Sequence, residues 1–236
     1  RREMVAHLSR LRRADFRPGV ATRTVLTRES EALVTLSDGT RVSARLLVAA
    51  DGRNSPVREA LGIGVHTRRY GQKALAFTVT HPIPHNNVST EIHRTGGPFT
   101  LVPLPDHKGS PASAVVWMET GPEAQRLRAL PVAEFEAALN DRSCGILGPL
   151  RLNSQINLWP IISQVADRMS GERTALMAEA AHVMPPIGAQ GLNMSLADLR
   201  VLLELAADHK ADLGSPAMLD AYHRRRHCEV QARITG

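Results

Sequence analysis

The spacing of apolar and polar residues changes period several times along the chain, and each change marks an element. Met4, Val5, Leu8 and Leu11 recur at helical spacing and predict an opening helix to about residue 13, stopped before Pro18-Gly19. Three strands follow, over residues 20–27, 32–37 and 41–49, with Asp38-Gly39 as a tight hairpin turn between the last two. The third strand delivers Asp51-Gly52 at its carboxyl end. Ser55 then stands where a helix cap belongs, Pro56 at the first helical position and Gly62 just past the end, so a short helix is predicted between them.

From Tyr70 to about Thr120 the texture becomes β-branched and punctuated by proline. Segments 74–80, 88–93, 99–103 and 113–119 predict a mostly antiparallel sheet in a layer of its own. Residues 131–140 read as a helix with Val132, Phe135 and Leu139 on one face, and an extended segment near 155–161 returns the chain toward a strand at 174–177. The last third is helical, first from residue 190 or 192 to 208 and then, after Ser215 as cap and Pro216, to about residue 232. The fold class expected is α/β (α+β). Residues 1–69 and 166–236 would form parts of one domain, interrupted by a sheet domain at 70–165. No internal repeat or low-complexity linker is present.

Composition narrows the function classes. At 236 residues with 43% apolar content the chain can bury one large core or two small ones. Lys and Arg total 29 against 23 acids, giving a net charge of +6, and only Lys73, Lys108 and Lys210 are lysines. Such a charge favours acidic membrane surfaces or nucleic acid. The arginines are scattered, however, and 3% aromatic content offers no stacking platform, so nucleic-acid binding is not expected. No apolar run approaches the roughly 20 residues of a membrane span, and the greasiest helix, 199–207, is broken by Arg200 and Glu204. Cys144 and Cys228 lie far apart without CxxC spacing, which suits a reducing compartment and argues against a disulfide framework. His81, His85 and His93, with Glu91, match no common metal-ligand spacing, so no metal is expected. No nucleophile elbow or Ser/His/Asp order supports acyl transfer.

The most informative stretch is 173–193. It reads as a strand, a carboxylate (Glu179) at the strand's end, a loop with Pro185-Pro186 and Gly188, and a helix opening at Gly191. First-turn amides of a helix lack intrahelical partners, and the macrodipole adds positive potential there, so electron-rich oxygens are drawn to that spot. Glycine lets a flat ligand approach the backbone.

Glu179-Ala-Ala-His182-Val-Met-Pro185-Pro186-Ile-Gly188-Ala189-Gln190-Gly191-Leu192-Asn193 closely resembles the second flavin-binding motif of class A flavoprotein monooxygenases, with Glu179 in place of the usual Asp and Ala178 in place of the usual Gly. Asp51-Gly52-Arg53-Asn54-Ser55-Pro56-Val57-Arg58 resembles that family's Asp-Gly motif. Tyr70-Gly-Gln72, Pro84-His85 and the run from Gly97 to Leu104 are similar to its ubiquinone-biosynthesis hydroxylases. The resemblance implies a partial para-hydroxybenzoate-hydroxylase-like FAD-binding fold with an inserted substrate sheet. It implies FAD and NAD(P)H as cofactors, with dioxygen consumed and an activated phenol-like ring hydroxylated.

Residue by residue, the resemblance implies that Glu179 accepts a hydrogen bond from a ribityl hydroxyl, as a carboxylate does well. Pro186, Gly188, Ala189, Gln190 and Gly191 would form the turn, and the amides of Leu192 and Asn193 would face the flavin's pyrimidine oxygen. Asp51, Gly52, Arg53 and Arg58 would complete the cofactor site, Arg53 and Arg58 because the guanidinium fork suits phosphate. His182 is expected to pack and hydrogen-bond, and no side chain is assigned a catalytic proton. Phe99, Leu101, Pro103 and Trp117 would line the substrate pocket, with core packing as the alternative. The substrate implied is a polyprenylated ubiquinone precursor, which would make the protein cytoplasmic and peripheral at the inner membrane face. A small soluble aromatic, or a non-catalytic remnant, are the rival readings. No Gly-x-Gly-x-x-Gly unit precedes Asp51, so the chain reads as a fragment expected to hold FAD weakly or not at all.

Overall fold

The computed structural model describes residues 2–94, 96–186 and 190–235. In chain order the elements are α1 (Arg2–Leu8), β1 (Thr22–Thr27), β2 (Ala32–Leu36), β3 (Arg41–Ala44), β4 (Leu47–Ala49), α2 (Pro56–Ala60), β5 (Val65–Thr80) and β6 (Thr90–Arg94). They continue as β7 (Gly97–His107), β8 (Ser110–Thr120), α3 (Gly121–Ala129), α4 (Val132–Arg142), β9 (Arg151–Leu152), β10 (Asn157–Ala166), β11 (Ser170–Gly171) and β12 (Thr174–Leu176). A single 3-10 turn at Ala178–Ala180, β13 (His182–Val183), α5 (Gln190–Asp208) and α6 (Pro216–Thr235) complete the chain. Two compact units result, Arg1–Thr67 with Gln164–Gly236, and Arg68–Ser163.

In the discontinuous unit, β12 pairs parallel with β4, placing Leu176 beside Ala49, and β11 flanks β12 antiparallel. A separate antiparallel meander joins β1, β2 and β3, and the Asp38-Gly39 turn closes it as expected, with Gly39 at φ +85 and the Thr40 amide donating to Asp38 Oδ1. The single strand expected over 41–49 is two strands. Residues 41–44 bond to β2 and residues 47–49 to β12, so the chain changes sheet at Arg45-Leu46. Local alternation cannot reveal such a switch, because both halves keep the same extended pattern. Opening helix α1 is shorter than its periodicity predicts and buries no residue. Helix α2 starts as read, Ser55 Oγ accepting from the Arg58 amide and Pro56 leading the first turn. The core of this unit gathers Ala175 and Leu176 from β12, Met194, Val201, Leu202 and Leu205 from α5, and Met218, Leu219 and Tyr222 from α6.

In the continuous unit the strand order is β10-β5-β8-β7-β6, with β9 beside β5. Register places Leu75 opposite Trp117 and Phe99 opposite Trp117 on its other side, so alternate residues of these strands share one face. That face carries Leu75, Phe77, Val79, Phe99, Leu101, Val115 and Trp117, and it packs against Leu127 of α3 and Phe135 and Leu139 of α4. Helix α3 escapes the sequence reading, because its Gly-Pro start resembles a turn.

This packing corrects the substrate assignment. Phe99, Leu101 and Trp117 are 0%, 1% and 3% exposed and fill the space between sheet and helices, with Phe99 and Trp117 edge to face at 5.7 Å and Trp117 close to Phe135. Pro103 shares their parity, opposite Ser113, and is half-buried. A side chain already enclosed by protein has no surface left for a ligand. The opposite face of the same strands carries Ala74, Val116, Met118 and Ile161, with Tyr70 packed beside them.

Candidate functional site

Because β4 and β12 are adjacent and parallel, their carboxyl ends lie at one edge of the sheet. Asp51 follows β4 by two residues and Glu179 follows β12 by three. The two motif carboxylates therefore leave the same edge, the place where α/β sheets hold their ligands. The Met177 amide donates to Ala49 O at 2.9 Å and continues the pairing past the strands.

Arg58 then ties the two loops together. Its Nη1 donates to Ala180 O at 2.7 Å, in the turn that carries Glu179, and its Nη2 donates to Arg53 O at 2.9 Å, in the Asp-Gly loop. One donor on each terminal nitrogen is thereby given to a backbone carbonyl, so Arg58 bridges the two loops. Asp51 Oδ2 accepts from the Val57 amide at 3.2 Å, so this carboxylate helps to cap α2. Gly52 adopts φ +91, which only glycine takes without steric cost. Arg53 is half-buried.

Glu179 is exposed, and its carboxylate has no partner among the described residues. It lines a cleft of about 240 Å³ with His182, Val183, Met184, Gly191, Leu192 and Ser195. Gln190 opens α5, and Gly191, Leu192 and Asn193 lie exposed in its first turn. Beyond its own helix, a Cβ added at Gly191 would meet nothing within 4 Å among the described residues. Pro186 is exposed. Gly188 and Ala189 lie outside the described residues. Asp51 does not line this cleft; it stands at the same sheet edge and is linked to the Glu179 turn through Arg58.

These residues fit a flavin by their donor set. A free carboxylate can accept hydroxyl protons, a bare glycine admits a flat ring, and the start of a 19-residue helix offers amides to a carbonyl oxygen. The cleft is smaller than the roughly 300–1,000 Å³ of whole small-molecule sites, so it would hold one end of the cofactor.

Behind the cleft lies a buried network that the sequence reading missed. Asp198, fully buried on α5, accepts from the Ala178 amide at 2.9 Å and from His182 Nε2 at 2.7 Å through Oδ2, and from Arg226 Nε at 2.7 Å through Oδ1. Arg226 Nη2 donates to Met194 O at 3.3 Å and Nη1 pairs with Glu229. Tyr222, one turn earlier on α6, donates to Leu176 O at 2.9 Å. Burial, with the Asp198 charge added, pushes the Tyr222 phenol far above its ordinary range, so it remains a donor. The signal was available in the sequence: Asp198 shares the helical spacing of Met194, Val201 and Leu205, and Arg226 that of Met218, Tyr222 and Val230.

The histidine group of the other unit is accounted for by hydrogen bonds. His81 lies between Ile83 O and Ser113 Oγ, His85 meets Leu104 O, and His93 pairs with Glu91. Among the described residues no helix is long and apolar enough to cross a membrane.

Comparison with known proteins gives the family and the fold. Ubiquinone hydroxylase UbiL of Rhodospirillum rubrum is 40% identical over 210 residues, covering 87% of this chain and 48% of the relative. Ubiquinone hydroxylase UbiM of Neisseria meningitidis is 29% identical over 228 residues, covering 95% and 49%. The chain thus spans about half the length of the curated relatives it matches. Among solved structures PqsL of Pseudomonas aeruginosa, described as a probable FAD-dependent monooxygenase, superposes with a TM-score of 0.78 at 22% identity, over 99% of this chain and 66% of that one. The fold is that of the para-hydroxybenzoate-hydroxylase-like flavoproteins. Residues 2–235 match the FAD binding domain family, and the chain belongs to it.

Proposed function

We propose that this chain forms the flavin-facing part of an aromatic-ring monooxygenase that uses FAD, NAD(P)H and dioxygen, acting on a polyprenylated phenolic precursor of ubiquinone. The observation that carries the reading is the exposed Glu179 carboxylate, without a partner among the described residues, lining one cleft with Gly191 at the start of α5. The 40% identity to a ubiquinone hydroxylase supports the choice of substrate class. FAD, when bound, supplies the redox chemistry, by which two electrons from NAD(P)H and one dioxygen yield a hydroxylated ring and water.

The protein's own part is position and field. Glu179 accepts hydrogen bonds from cofactor hydroxyls as a charged, short-range acceptor. The first-turn amides of Gly191, Leu192 and Asn193 favour negative charge on the ring system, and because they are fixed before reaction they need no reorganisation. Gly191 keeps the approach clear. Pro186, Gly188, Ala189 and Gln190 shape the turn in this proposal, Asp51 and Gly52 form the second wall, and Arg53 and Arg58 hold that wall to the Glu179 turn through the two carbonyl bonds of Arg58. A phenol-like ring is already electron-rich, so the transfer demands no protein acid or base. A net charge of +6 is in keeping with peripheral association with an anionic membrane that holds a prenylated substrate.

Titration of the purified protein with FAD, followed by flavin fluorescence, tests the site. Glu179→Ala is expected to weaken binding about tenfold, the scale of one charge-assisted hydrogen bond. Equal affinity in both proteins would remove Glu179 from the site. NAD(P)H consumption with a prenylated against a soluble phenol tests the substrate class, and a preference for the soluble ring would overturn the prenyl assignment.

A further inference from the structure

We infer that Asp198 is the positioning residue of this site: backed by Arg226, it fixes the left-handed turn at Ala178 and the ring of His182, and so sets where Glu179 meets its ligand. The last step rests on the cofactor reading above; the latch itself does not.

The argument starts from a misplaced charge. The inward face of α5 is otherwise apolar, with Met194, Val201, Leu202 and Leu205, and a carboxylate there loses its hydration on folding. An ion pair with Arg226 compensates that loss, but a buried pair contributes little that apolar side chains of equal volume would not. What apolar residues could not supply is direction. One oxygen of Asp198 is occupied by Arg226, while the other takes two donors from the loop that leads into the cleft, the Ala178 amide and His182 Nε2. Since an ionised carboxylate only accepts, it also selects the tautomer of His182 that carries its proton on Nε2.

Ala178 is where this direction is needed. It sits at φ +52, a conformation that an L-residue avoids, immediately before Glu179. Glycine would take that turn freely. Alanine does so here while its amide donates to Asp198, so the bond and the strained dihedral occupy the same residue. On the far side, Tyr222 grips Leu176 O at the end of β12. Strand end, turn and histidine are thus all referred to α6 and to one carboxylate on α5. Asp198 itself does not line the cleft, which makes it a positioning residue and not a catalytic one.

Amide hydrogen exchange of the chain without cofactor reads the latch directly. In the unaltered protein the Ala178 amide is expected to exchange at least about tenfold more slowly than an unbonded surface amide. In Asp198→Asn, exchange over residues 178–182 is expected to rise at least about tenfold relative to residues 218–230 of α6. Adding Ala178→Gly to Asp198→Asn should recover about threefold of the lost FAD affinity, because the turn no longer needs holding. The same Ala178→Gly change in the unaltered protein should shift FAD affinity by less than about twofold. An equal effect of Ala178→Gly in both backgrounds, or uniform exchange over residues 178–182 and 218–230, would overturn the proposal. If Asp198→Asn leaves the buried Arg226 without its buried counter-charge and unfolds the chain, Asp198→Asn with Arg226→Met removes both charges and gives the same readings. Should the unaltered chain show the slow Ala178 amide while Glu179→Ala leaves FAD affinity unchanged, the latch stands and the cofactor reading of Glu179 fails.

Discussion

A methyl group at Gly191 would meet nothing within 4 Å among the described residues beyond its own helix, so these supply no packing reason to keep the glycine. Alanine there should stabilise α5 by up to about 0.5 kcal/mol, since it loses less backbone freedom in a helix. The same methyl would stand in the ligand's approach. Gly191→Ala is therefore expected to raise the Tm by a degree or two, roughly the shift for that energy in a domain of this size, while FAD titration shows weakened binding. A loss of both stability and affinity would mean that the glycine serves the fold. His81 makes the opposite case, a side chain bound up wholly with stability. Burial, and to a lesser degree the neighbouring His85, hold its pKa below the ordinary 6.5, although its bond to Ile83 O works against that. His223 is lowered in the same direction, again chiefly by burial. Between the folded and unfolded values the unfolded chain takes protons that the folded chain refuses, so stability is complete above about pH 6.5 and falls as pH drops below it. Thermal melts between pH 7.5 and 5.5 should show that decline, and His81→Gln should make it shallower. At this scale the sequence spoke through chemistry that exposure permits. Glu179 and Gly191, named from the motif, line one cleft, whereas Phe99 and Trp117, read either as pocket lining or as core, are core, since a buried aromatic and a pocket-lining aromatic look alike along a strand.

Helix α5 shows at the level of an element how much one amphipathic pattern conceals. Its buried side carries Met194, Asp198, Val201, Leu202 and Leu205, while Leu192, Leu196, Leu199 and Leu203 are 69%, 53%, 42% and 61% exposed on the other. Both rows follow helical spacing. Truncating one leucine from each row separates them: Leu202→Ala should cost about 2–4 kcal/mol through lost burial and a cavity, and Leu199→Ala about 0.5 kcal/mol or less. Urea unfolding of the two variants measures this, and equal costs would show that Leu199 is packed. The helix bounds themselves were legible, since a long periodic run between a Pro/Gly loop and a polar break leaves little freedom. Strands β3 and β4 were not, because pairing partners distant in sequence decide where a strand ends.

Across the whole molecule the decisive contacts join segments more than a hundred residues apart. Arg58 reaches Arg53 O nearby and Ala180 O 122 positions away, so one side chain carries the register between two motifs. Arg58→Met should leave both carbonyls without their donor and cost about 1–3 kcal/mol in urea unfolding, with FAD affinity falling alongside. If affinity fell with no loss of stability, a direct contact of Arg58 with the cofactor would be the better explanation. The sequence by itself determined the family and the bounds of α5, and it proposed the carboxylate and the glycines of the cofactor site, because those depend on residue type and short-range spacing. Only the tertiary structure decided which strand pairs with β4, which face of the sheet is filled, what Arg58 holds and why an aspartate lies in the core. These are long-range choices, set by the requirement that every buried donor, acceptor and charge find a partner, and no local pattern encodes where that partner stands.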